Sequence, residues 1–166
     1  MNERMKLLSS IISKLRAALP EGEAALWQAF IKAMSEAFRC EAASYFKADT
    51  EHRTLTLQYA LGVCAGEVTD MTIGYEGVVG SAAINLKPII ANDVSKSPEF
   101  CDKLDKSTGF QTRAVLCAPV INTGELMGVI ELINPQSGSF TDADMELAGF
   151  LCLSVARAIS EMRNSP

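Results

Sequence analysis

AVLCAPVINTGELMGVIELIN, residues 114 to 134, reads as two apolar runs joined by Asn122, Thr123 and Gly124. That junction is a strong hairpin-turn signal, so the two runs are expected to be long, antiparallel, central strands. Pro119 lies inside the first run and predicts a bulge or an unpaired donor there, because proline has no N–H to give to a ladder. Glu131 lies in the second. Its neighbours Val129, Ile130, Leu132 and Ile133 imply a strand covered on both faces. Strand alternation then puts Glu131 on one face with Met127, Val129 and Ile133. An unpaired ionised carboxylate is prohibitive in such a place. The residue is therefore paired, to Arg113 or a nearby lysine, or protonated, or lining a cavity.

Outward from this hairpin, the chain from Thr141 to Arg163 reads as one long helix. Thr141 and Asp144 have capping-box spacing, and Asp142 suits the positive helix end. Ala148, Leu151, Val155, Ala158 and Met162 recur at three- and four-residue steps, while Leu147, Phe150, Leu153 and Ile159 occupy other faces. A helix apolar on more than one side has two neighbours, here a sheet and a partner chain. Met5, Leu8, Ile12, Leu15 and Leu19 form a similar seam near the N-terminus, ended by Pro20 to Gly22. A second helix fits Ala24 to Phe38, with Leu26, Phe30, Ile31, Met34 and Phe38 on one stripe.

Between these helices and the hairpin, residues 42 to 48 and 54 to 61 read as a first strand pair. Leu55, Leu57, Tyr59 and Leu61 alternate in its second strand. An extended piece from Val68 to Ile73 leads to GYEGVVGSAAINLK, residues 74 to 87, where glycines precede a short helix. Ile89 to Ala91 forms a brief strand. In SKSPEF, Ser97 reads as an N-cap with Pro98 at the first helical position and Glu99 in the first turn.

At 166 residues, 48% hydrophobic, the chain has enough apolar material for one core. A net charge of -5 offers no basic surface for nucleic acid and none for anionic membranes. No apolar run approaches the ~20 residues that span a bilayer, and the N-terminus lacks the features of a secretory signal. A soluble, cytoplasmic location is expected. Five cysteines without metal-ligand spacing suit a reducing compartment, where they serve as small hydrophobes.

Gly74, Gly77 and Gly80, with Asp93 further on, approach a dinucleotide fingerprint, but the surrounding hairpins argue for an antiparallel sheet and against that fold. The amides of the helix start could still face an anion. His52, in a polar turn, reads as a solvated surface residue. No GxSxG, HExxH or GxxxxGK[ST] occurs.

The order of elements, and above all residues 104 to 134, resembles a GAF domain, the small-ligand sensory module, and most of all the GAF domains of cyclic-nucleotide phosphodiesterases and adenylyl cyclases. Asn134, Phe140 and Asp144 match the family's late motif, whereas Pro135 and Met145 replace its Lys and Glu. The resemblance implies an α/β (α+β), GAF/PAS-like fold. Its central antiparallel sheet has five or six strands, with N- and C-terminal helices bundled on one face and a ligand pocket on the other, roofed by residues 74 to 112. It divides the chain into an N-terminal helix, 1 to 22, and a sensory domain, 23 to 166, that includes the C-terminal helix 141 to 163.

The pocket positions it implies are Ser44, the backbone around Val78 and Val79, then Asp105, Thr108, Thr112 and Glu131. A cyclic nucleotide or a similar small anion-bearing metabolite is the expected ligand. The family's base-stacking aromatic and its adjacent Asp are replaced by Ala60 and Leu61, and an aromatic of the polar segment by Cys101. The resemblance further implies a non-catalytic module in signal transduction with a downstream kinase, cyclase or regulator, and the apolar seams of the terminal helices add the expectation of a homodimer through them. Two alternatives stay open. One is a thiol enzyme like free methionine-R-sulfoxide reductases, for which Cys101 matches but Val79 and Thr69 stand where the other cysteines belong, and Glu131 and Ile133 where the late strand has an Asp pair. The other is a ligand-free dimerisation module.

Overall fold

Thr123 and Gly124 both take positive φ, 49° and 82°, which is the backbone of a two-residue turn whose twist matches the strands it joins. The turn folds β5 (Val115–Asn122) onto β6 (Glu125–Pro135) in antiparallel register. The computed structural model describes residues 2–62 and 69–166. Around this hairpin are α1 (Glu3–Ala18), α2 (Glu23–Phe38), β1 (Cys40–Asp49), β2 (Thr54–Leu61), β3 (Thr72–Gly74), α3 (Gly77–Asn85), β4 (Ile89–Ala91), α4 (Lys103–Thr108) and α5 (Asp142–Asn164). The six strands form one antiparallel sheet in the order β3-β2-β1-β6-β5-β4.

Two cores lie on the two faces of this sheet. On one face α1, α2 and α5 bury Trp27, Phe30, Met34, Leu116, Ile130, Leu151 and Val155. On the other, α3 covers Phe46, Leu55, Leu57, Val115, Cys117 and Val129. Each large apolar side chain buried in this way contributes about 1.5–3 kcal/mol relative to exposure. The α5 cap is as expected: Thr141 Oγ1 accepts from Asp144 N at 3.1 Å, and Asp144 Oδ2 accepts from Thr141 N at 2.9 Å.

Several expectations change. Two register shifts break the strict alternation of the strands. One leaves Gln58 of β2 as an extra residue opposite the Tyr45/Phe46 step, and the other leaves Met127 of β6 as an extra residue opposite the Val120/Ile121 step. Such bulges swing the following side chains across the sheet. Leu55 and Leu57 therefore pack under α3 while Tyr59 packs against the helices, and Leu61 is exposed. Met127 likewise joins the helix side and does not share a face with Glu131, Val129 and Ile133. Pro119 pairs with Val129 just before the second shift, beyond the end of β4, which reaches only as far as Cys117.

In α1 the residues that enter the core are Ile11 and Leu15, whereas Ile12 is only partly covered and Met5 is exposed, because a helix packed on one neighbour turns a single stripe inward. The helix expected at Ser97 does not form there. Asp93 caps a short 3-10 turn, Val94–Lys96, by accepting from Ser95 N, and Ser97 ends it in extended geometry. The extended piece expected from Val68 is a strand only over Thr72–Gly74, and Val68 itself lies outside the described residues.

Candidate functional site

Glu131 sits mid-strand in β6, opposite Ser44 of β1 and Cys117 of β5. Above it, α3 begins at Gly77 on a chain that passes very close to its own start. A Cβ at Gly80 would lie 2.3 Å from the Tyr75 carbonyl carbon, so only glycine permits this approach. The result is a cavity of about 40 Å³ lined by Glu131, Val78, Val79, Glu76, Phe100 and Cys101, together with Ile73, Gly77 and Val115. That is well below the roughly 300 Å³ at which small-molecule sites begin.

Arg113, a possible partner for Glu131, is engaged elsewhere, with Glu41. The only hydrogen bond to the Glu131 carboxylate among the described residues comes from Cys117 Sγ at 3.8 Å, a weak thiol donor. Burial first, and then the nearby Asp105 charge, raise the Glu131 pKa to about 7, with the Cys117 hydrogen bond acting against both. Cys117 itself is pushed well above the usual thiol range, first by burial and then by Glu131.

The remaining predicted residues divide between the cavity and its surroundings. Val78 and Val79 line it with Glu131. Ser44 is buried beside Glu131 in the ladder. Asp105 is committed to the loop below α4: it accepts from Thr112 N at 2.8 Å and from Thr112 Oγ1 at 2.7 Å. Thr108 Oγ1 accepts from Phe110 N at 3.2 Å, which holds the end of α4. Phe100 and Glu76 are pocket residues that the sequence reading missed, and no periodic pattern marks either of them. Cys101 was singled out as a thiol and is now also a wall of the cavity.

The late motif serves the fold. Asn134 is buried at φ 54°, and its Oδ1 accepts from Arg113 N at 2.7 Å and Ala114 N at 3.1 Å, while its Nδ2 donates to Gln111 O at 2.9 Å. Phe140 is exchanged with Asn92 through two backbone-to-amide hydrogen bonds. His52 is exposed as expected, and its ring contacts Asp49 at 2.8 Å.

A second concavity lies on the opposite face of the sheet, where the C-terminal end of α5 meets the start of α2 and the β5–β6 turn. It measures about 480 Å³. Its floor is Trp27 stacked on Tyr45, ring centroids 3.7 Å apart. Tyr45 fits because position 128 is glycine, where a Cβ would meet Phe46 O at 2.2 Å and the Tyr45 ring at 2.5 Å.

Among known proteins, the family model described as the GAF domain matches residues 8–159. Over 72 residues the chain is 35% identical to the dual 3',5'-cyclic-AMP and -GMP phosphodiesterase 11A of Takifugu rubripes, covering 42% of this chain and 8% of that protein. It is 32% identical, also over 72 residues, to the rod cGMP-specific 3',5'-cyclic phosphodiesterase subunit alpha of Bos taurus, covering 43% and 8%. The match thus spans less than a tenth of either relative's length. In structure the chain is similar to the GAF domain from an Acinetobacter phosphoenolpyruvate-protein phosphotransferase, with a TM-score of 0.80, 18% identity, and 98% and 96% of the two chains covered. It is also similar to the free methionine-R-sulfoxide reductase of Neisseria meningitidis, with a TM-score of 0.78, 17% identity, and 98% and 94% covered.

Proposed function

Because the chain belongs to the GAF domain family of small-ligand sensory modules, we propose that it senses a cyclic nucleotide, or a similar small anion-bearing metabolite, between Glu131 and the start of α3. The observation that carries this reading is Glu131 itself, a strand carboxylate turned into a cavity, with burial and the Asp105 charge lifting its pKa to about 7. The amides that open α3 supply donors for a phosphate, the apolar wall of Val78, Val79 and Phe100 suits a ring, and Glu131 accepts from a ring or amine N–H. A cavity of about 40 Å³ is too small for such a ligand, so occupancy and roof movement become one event. Ligand entry displaces α3 and α4, and the shift reaches α5 through β5 and β6.

The output passes to a downstream kinase, cyclase or regulator in the cytoplasm through a dimer of terminal helices. Met5, Phe150 and Leu153, exposed on α1 and α5, support that dimer. Light scattering at micromolar concentration that returned a monomer mass would remove it. A thermal-shift panel of cyclic nucleotides tests the ligand. At about 100 times its dissociation constant a ligand stabilises by ~2.7 kcal/mol, or roughly 5–10 °C for a domain of this size. Glu131→Gln and Thr112→Ala should weaken binding, and no shift with any cyclic nucleotide would leave the sensory class without this ligand.

The enzymatic alternative draws on Cys101, a thiol in the cavity wall. Against it, the neighbouring Cys117 is buried with its pKa far above the usual range, so it is a poor thiolate for exchange. We therefore read the domain as non-catalytic. Turnover of free methionine sulfoxide by the purified protein would reverse that.

A further inference from the structure

We propose that the groove on the helix side of the sheet is a second ligand site, one that takes a small zwitterion of the α-amino acid class. Its volume of about 480 Å³ is within the ordinary range for small-molecule sites, and it is twelve-fold larger than the cavity at Glu131. Both irregularities of the sheet converge on it. Gln58, the extra residue of β2, and Met127, the extra residue of β6, each stand in its wall. Bulges re-aim side chains and gather beside functional sites. Tyr45 locks the floor, its hydroxyl donating to Met127 O at 3.1 Å and its ring held between Trp27 and Gly128.

The charges in the wall define the ligand. Glu23 is engaged by Arg163, whose Nε and Nη2 both donate to it, and the Lys47 charge also favours its ionised form. Among the described residues no hydrogen bond engages Arg163 Nη1, which leaves it as a donor edge. Lys47 and Glu125 line the same groove, and among the described residues neither has an ion-pair partner. Lys47 and the Arg163 edge thus offer a carboxylate two cationic donors, Glu125 offers an ammonium group one acceptor, and Gln58 supplies an amide for the side chain.

Trp27 is the only tryptophan of the chain, and it reports directly on this floor. The full chain is titrated with each of the twenty common α-amino acids and with acetate and methylamine, following Trp27 fluorescence and, in parallel, heat of binding. At least one amino acid should give saturable binding that acetate and methylamine do not. Lys47→Ala and Glu125→Ala, both at exposed positions, should each weaken it tenfold or more, and Glu131→Gln should leave it unchanged. The proposal is overturned by absence of both signals across the panel, by equal binding of the singly charged probes, or by undiminished affinity in both groove variants.

Discussion

The two faces of one sheet carry two concavities of opposite character. Under α3 the space is small, and its dominant group is a carboxylate held near neutrality by burial. On the helix face it is large, and its charges are solvated or already paired. The first concentrates electrostatic free energy on a single residue; the second spreads shape over two bulges and an aromatic stack. Perturbing the first should therefore appear in pH dependence, and perturbing the second in packing.

The largest expected effect is on packing. Trp27 projects from α2 onto the Tyr45 ring and is buried, so Trp27→Ala should cost about 3–5 kcal/mol in urea unfolding. A loss below 1 kcal/mol would mean that the stack does not support the helix face.

Glu131 comes next. Its folded pKa is raised above its unfolded value of 4.5 to about 7, so the folded state holds the proton more tightly. Stability is fully present below about pH 4.5 and falls as pH rises through 7. At ~1.4 kcal/mol per pKa unit the total is on the order of 3 kcal/mol. Glu131→Gln should flatten the curve between pH 5 and 8, and parallel curves for the two proteins would refute the buried-acid account.

Gly128→Ala forces a methyl into Phe46 O and the Tyr45 ring, with an expected cost of about 1–3 kcal/mol. It should disturb Trp27 fluorescence while sparing the pH dependence, which separates the two faces within one variant. Arg163→Ala should have the smallest effect, about 0.5–1 kcal/mol, since the pair with Glu23 is partly exposed. Its effect should shrink further in high salt, and a salt-independent loss would point to packing instead.

Much of the fold was legible because its signals are local. The Asn-Thr-Gly turn, the Thr141 cap and the stripe of α2 each need only a few neighbouring residues to be read. The candidate site was only partly legible. Glu131 stood out as a charge amid apolar strand residues, and Val78 and Val79 share its cavity. Asp105 and Thr112 instead bond to each other, a pairing across seven residues that no periodicity encodes. Glu76 and Phe100 carried no sequence signal, because a loop residue enters a pocket only through the path of the whole loop.

The sequence by itself determined the hairpin, the Thr141 helix cap, the family and the presence of a problematic carboxylate on β6, since each depends on residue type at short range. Only the tertiary structure decided which face each residue serves. Strand alternation is a rule of two, and a single inserted residue reverses it, so the bulges at Gln58 and Met127 moved Tyr59 and Met127 to the helix side. It also decided that Arg113 pairs with Glu41 and leaves Glu131 to a thiol, because ion pairs form between whichever charges the strands bring within reach.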